Sequence, residues 1–119
     1  MYVANAGDSK AVLLRKKEDG SYDYIKASTT FNANKAYEQE RLKKLFTKDE
    51  DIVVCKRGDN KACYVKGNLM PTRAFGDLRL KLAEFNFHSF PPDLGYRVPI
   101  PKYNGPYITH EPEIKVIEL

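Results

Sequence analysis

The chain reads as an α+β fold, and two patterns predict it. Short β-prone runs recur on either side of tight-turn residues, and one amphipathic helix lies between them. Tyr2 to Ala6 is the first run, and Gly7-Asp8-Ser9 turns the chain into Ala11-Val12-Leu13-Leu14, expected to be a buried strand. Glu18-Asp19-Gly20-Ser21 then separates this strand from Tyr22 to Lys26. Asp-Gly tolerates the positive φ angles that close hairpins demand, so a hairpin is expected.

A helix is predicted over Tyr37 to Phe46, capped by Asn34, with Tyr37, Leu42, Leu45 and Phe46 mostly on one face. Glu38 and Glu40 stand early and Lys43 and Lys44 late, an order that complements the helix dipole; Glu40 with Lys44 adds an i,i+4 pair. Ile52 to Cys55 and Ala62 to Val65 form a second expected hairpin around Arg57-Gly58-Asp59-Asn60-Lys61. The Arg57-Gly58-Asp59 tripeptide is turn chemistry here, not an adhesion signal.

From Leu78 to Tyr107 prolines and aromatics dominate. Proline lacks the backbone donor that regular ladders need, so a long ordered loop is expected, with a short helix at Leu80 to Phe85. Glu113 to Leu119 alternates polar and apolar residues as a half-buried strand does. The first strand starts with no lead-in and the last has no exit turn. Both edges read as cuts through a larger domain.

Composition narrows the function classes. The 119 residues are 30% charged and 42% hydrophobic, which is ordinary for a soluble chain. No apolar run approaches the roughly 20 residues that cross a bilayer, and the first residues lack the basic and apolar regions of a secretory signal. An intracellular setting is expected, with cytoplasm and mitochondrion undistinguished. The net charge is +4, but the basic residues are scattered in pairs such as Lys16-Lys17 and Lys43-Lys44 with acids nearby. Nucleic-acid binders cluster such charge, so neither nucleic acid nor membrane is expected as a partner. Cys55 and Cys63 lack zinc or redox spacing; they could face each other across the hairpin, and two free thiols are expected.

Three segments carry a resemblance. Tyr2-Val3-Ala4-Asn5-Ala6-Gly7-Asp8-Ser9-Lys10-Ala11-Val12-Leu13 is similar to the "ANxGDSRAVL" hairpin of the protein phosphatase 2C family. Leu69-Met70-Pro71-Thr72-Arg73-Ala74-Phe75-Gly76-Asp77 is similar to its "LxxSRAFGD" segment, and Pro106 to Ile114 to its "PYVTAEPEV" segment. Short motifs match by chance; three in order, with a helix between the first two, do so far less often. Pro71 and the proline-rich insertion resemble the pyruvate dehydrogenase phosphatase branch.

The resemblance implies part of a β-sandwich flanked by helices: residues 1–119 as the middle segment of the domain, with a flap-like insertion at about 78–107. It implies hydrolysis of phosphoserine and phosphothreonine in phosphoproteins through a dinuclear Mg2+ or Mn2+ centre. Hard divalent cations take oxygen ligands, and two of them can activate a bridging water. Of the carboxylates such a centre needs, Asp8 alone has a matching position, with Gly7 turning the chain toward the site. Arg73, Gly76 and Asp77 are implied to organise backbone near the active site, and no catalytic residue is assigned. Asp77 is expected in an ion pair or hydrogen bond, and Glu111, Glu113, His88 and His110 are not expected to be ligands. Thr30-Phe31 stands where relatives often carry Asp-His, and Lys10 replaces an arginine. Nothing resembles the family's "DGHGG", "DGxWD" or final "DN" segments. The piece is therefore expected to be inactive alone and open to self-association through unpaired strand edges. A pseudophosphatase or regulatory interaction module on the same fold is the alternative.

Overall fold

Asp19 shows how the first hairpin closes. Its Oδ1 accepts from the Ser21 amide (2.9 Å) and hydroxyl (2.6 Å), while Gly20 takes φ +84°, which a residue with a Cβ rarely adopts. In the computed structural model, which describes residues 1–56, 62–87 and 98–119, this turn joins β2 (Val12–Lys16) to β3 (Tyr22–Lys26), antiparallel with Leu14 opposite Tyr24. The first strand, β1 (Tyr2–Asn5), pairs antiparallel with β6 (Glu113–Val116), bringing the two ends of the chain together. The third pair, β4 (Val53–Cys55) with β5 (Cys63–Val65), is the predicted second hairpin. Its turn, including Arg57 to Lys61, lies outside the described residues. Among the described residues, one α-helix and three antiparallel pairs make the fold α+β, as expected.

The helix α1 runs Ala36–Leu45, one residue earlier than predicted. Asn34 does not cap it. Lys35 holds the N-cap position without a side-chain bond, because Asn34 Oδ1 accepts from the Cys63 amide (2.7 Å) instead. Leu42 is buried and Phe46 packs on Tyr107 with ring centroids 5.3 Å apart, but Tyr37 and Leu45 are exposed. Glu38, not an apolar residue, fills the second buried position on the helix. Among the described residues, its ion pair with Arg41 is the one this helix makes, in place of Glu40 with Lys44.

The core gathers Ala33, Leu42, Ile52, Val65, Leu80, Ile100, Tyr107 and Ile108. Both ends of the expected loop therefore contribute to it. Leu78–Leu80 and Ala83–Phe85 are single 3-10 turns where one short helix was expected. Asn86 then clasps Ile100, donating to its carbonyl and accepting from its amide, each at 2.8 Å. Residues 88–97, with His88, Pro91 and Pro92, lie outside the described set.

Two expectations fail on burial. Val12 and Leu14 are 55% and 64% exposed, although β2 reads as a buried strand. On β6 the half-buried residues are Glu113 and Lys115, while Ile114 and Val116 face solvent. Alternation places apolar residues on one face, but nothing among the described residues covers that face. The radius of gyration is 17.9 Å, against about 13 Å for a compact chain of roughly this size.

The cysteines also depart from expectation. Cys55 and Cys63 are direct register partners, and their sulfurs are bonded. Lys56 donates to Ala62 across the ladder, which makes Cys55 and Cys63 a non-hydrogen-bonded pair. Side chains approach most closely at such pairs.

Candidate functional site

The turn that carries Asp8 is held from behind by hydrogen bonds to main-chain carbonyls. Asn5 Nδ2 donates to the carbonyls of Gly7 (3.0 Å) and Thr29 (2.6 Å), and the Phe31 amide donates to Gly7 O at 3.0 Å. Phe31 O in turn accepts from the Thr72 amide at 3.0 Å. Phe31 thus links the Gly7-Asp8 turn to the Leu69–Asp77 segment. Two motifs more than sixty residues apart in sequence lie side by side.

Gly7 is not required by its own conformation. Its φ is not positive, and a Cβ there would meet Arg73 O at 3.5 Å, an ordinary contact. Asp8 is half-buried, and Asn32 Nδ2 donates to its Oδ2 at a long 3.4 Å. With this one weak partner among the described residues, the carboxylate keeps most of its acceptor sites open to them.

Arg73 is fixed on three sides. Its guanidinium lies 3.8 Å over the Phe31 ring, Nη1 donates to Glu111 O (2.9 Å), and its backbone bridges Thr109 in parallel. The adjacent Ala74 amide donates to Thr109 O (3.0 Å), so the second and third motifs are joined as well. Gly76 and Asp77 are exposed and both left-handed, with φ +69° and +48°. The Asp77 carbonyl accepts from the Leu80 amide, and its side chain does not cap that turn. His110 is exposed, as a surface residue should be.

Behind Arg73 sits a residue that the sequence reading passed over. Glu38 is 2% exposed, accepts from Arg41 Nε (3.0 Å) and Nη2 (2.8 Å), and takes a short hydrogen bond from the Thr72 hydroxyl. Burial pushes its carboxyl up, but the bonds from Arg41 and Thr72 and the charges of Arg41 and Arg73 hold it below the usual range. Its sequence signal was the Glu38/Arg41 spacing of three on a helix, where side chains meet.

The chemistry available here is limited. Among the described residues, no three His, Cys, Asp or Glu side chains converge so as to hold a metal ion. Asp8 alone does not make a divalent-cation site, which needs six or more oxygen ligands for calcium or near-octahedral geometry for magnesium.

Similarity to known proteins now decides the family. The model of the protein phosphatase 2C family matches residues 1–119. The chain belongs to the protein phosphatase 2C family. It is 37% identical to mitochondrial pyruvate dehydrogenase (acetyl-transferring) phosphatase 1 of Bos taurus, over 96% of this chain and 22% of that protein. It is 40% identical to probable protein phosphatase 2C 48 of Arabidopsis thaliana, over 98% of the chain and 29% of the relative. Probable protein phosphatase 2C 67 of the same plant is 34% identical over the whole chain and 30% of its own length. Identity alone does not separate the two groups of phosphatase 2C relatives. The chain spans less than a third of each of them.

Proposed function

We propose that this chain is the middle segment of a metal-dependent protein serine/threonine phosphatase that hydrolyses phosphoserine and phosphothreonine in intracellular phosphoproteins. The observation that carries this reading is the path Gly7 O to Phe31 to Thr72, which sets the Gly7-Asp8 turn against the Leu69–Asp77 segment. Asp8 contributes one carboxylate to a metal centre, of Mg2+ or Mn2+, that this chain does not complete. Its one hydrogen bond among the described residues, a long one from Asn32, supports that role. Arg73, Gly76 and Asp77 shape the backbone beside it, next to Gly7, whose own conformation makes no such demand. The 78–107 insertion is a flap that bears on substrate choice, rooted in the core through Leu80, Ile100 and Tyr107.

The test uses the longer parent. It should dephosphorylate a phosphoserine peptide only with Mg2+ or Mn2+, and Asp8→Asn should lower turnover at least tenfold with the melting temperature kept. Turnover that survives chelation, or none at all in a folded parent, would overturn the reading. Deleting the insertion should change preference among peptides more than metal dependence.

A further inference from the structure

Between the outer face of the β2–β3 hairpin and the amino end of α1 lies a groove of about 240 Å3. Lys10, Val12, Tyr24, Lys26, Thr30 and Lys35 line it. The three lysines come from three places: the turn after Asp8, the last residue of β3, and the N-cap of α1. All three are exposed, and no acidic residue lines the groove. Of the carboxylates nearby, Asp23 pairs with Lys17 and Glu38 with Arg41, while Asp8, two residues before Lys10, does not line the groove. Lys10, Lys26 and Lys35 form no ion pair among the described residues.

Three like charges around one small groove repel each other, and an anion between them removes that cost. The helix adds to the same field. Lysine holds the N-cap and makes no side-chain cap bond, so the first turn presents its positive end beside the groove, with Glu38 of that turn already paired to Arg41. Val12 and Tyr24 supply an apolar wall.

We infer that this groove is a subsite for an acidic or phosphorylated side chain of a peptide, its charge taken by Lys10, Lys26 and Lys35 and its stem by Val12 and Tyr24. The peptide assignment rests on the phosphatase reading. Lys10 follows Asp8 by two residues, so their Cα atoms stand within about 7 Å. A phosphoprotein segment bound near Asp8 can then set a neighbouring acidic residue in the groove. The volume suits one side chain, not the continuous track that a nucleic acid needs.

The experiment is an NMR titration of the 119-residue chain with three probes: inorganic phosphate, a peptide bearing glutamates and one phosphoserine, and a single-stranded oligonucleotide. Expected are shifts centred on the amides of Lys10, Lys26 and Lys35, with the peptide favoured. Affinity should fall about tenfold in K10Q/K26Q/K35Q and weaken with added salt. The single variant K26Q, with an unchanged spectrum elsewhere, guards against misfolding and should lose affinity by a smaller factor. Shifts elsewhere, equal binding by the triple variant, or preference for the oligonucleotide would overturn the inference. Binding needs no turnover, so the groove can fail while the phosphatase reading stands, and the reverse.

Discussion

The Thr72 hydroxyl donates to the Glu38 carboxylate, joining residues 34 apart in sequence in a buried contact. This bond anchors the segment that ends at Asp77 onto α1. Thr72 is fully buried, and the next residue, Arg73, adds its charge to the field that keeps Glu38 ionised. The helix therefore does more than supply Leu42 to the core. It holds the backbone on which Arg73 is mounted.

Glu38→Gln should cost about 2 kcal/mol or more, since charge-assisted bonds to Arg41 and Thr72 are weakened at a buried position. The pH dependence has a definite sign. A carboxyl held below its unfolded value of about 4.3 adds stability above that pH, and the stability is lost as pH falls through the folded value. Urea unfolding at pH 7 and at pH 4 reads both effects. The variant should lose part of the acid sensitivity of the native chain; an identical acid slope would contradict the assignment.

The glycines of the motifs should respond differently to alanine. Gly76 has φ +69° with open space around it, so Gly76→Ala meets no clash but forces a side chain into left-handed backbone. A cost of about 1–2 kcal/mol is expected. Gly7 has an ordinary φ, and its new Cβ would sit 3.5 Å from Arg73 O, so Gly7→Ala should change stability by about 0.5 kcal/mol or less. Thermal unfolding of the two variants ranks them directly.

Much of this layout was legible in the sequence, and the failures share a cause. Asp19-Gly20 closes its hairpin as local turn chemistry demands, and α1 lies within one residue of its predicted start because dipole order and the Leu42 stripe are local signals. What escaped was set by distant partners. Asn34 left its capping role for the Cys63 amide, 29 residues away. Glu38 read as a charge suited to the first turn, yet Thr72 and Arg41 make it a buried anchor. Val12, Leu14, Ile114 and Val116 have the right alternation, but pattern cannot say whether the covering layer belongs to the same chain. At the candidate site, the proximity of the Gly7-Asp8 and Leu69–Asp77 motifs followed from resemblance. Phe31, which joins them, carried no signal of its own.

A second buried charge makes a further prediction. The Lys66 ammonium lies 2.8 Å from Asp49 and 2.5 Å from Asp51, with the Lys66 and Asp49 side chains 5% and 8% exposed. Burial pulls the lysine down, yet the bonds and charges of the two aspartates raise it above its ordinary value. Its contribution is thus present below about pH 10.4 and lost as pH rises through the folded value. Lys66→Met leaves Asp49 buried without its cation and should cost about 3–5 kcal/mol, with Asp49→Asn in the same chain recovering much of it. Failure of the double variant to recover would show that Lys66 acts by packing on Tyr107, whose ring centroid is 5.4 Å from its ammonium.

The bond between Cys55 and Cys63 sets the last expectation. It closes a short loop, with a sequence separation of 8, whose restriction in the unfolded chain is worth about 2–3 kcal/mol. The two ends differ in environment: Cys55 is exposed, while Cys63 is 5% exposed and has Gln39 Nε2 at 3.5 Å from its sulfur. An external dithiol should therefore attack at Cys55, expel the Cys63 thiolate, then close on itself to release Cys55 as a thiol. Reduction should lower the urea midpoint by an amount matching that free energy, and Cys55→Ser should reproduce it. Because Cys63 also belongs to the core and receives Asn34 at its amide, Cys63→Ser should cost more than Cys55→Ser. Equal effects from the two variants would mean that only the covalent link matters at this hairpin, and that the seat of Cys63 against α1 contributes nothing.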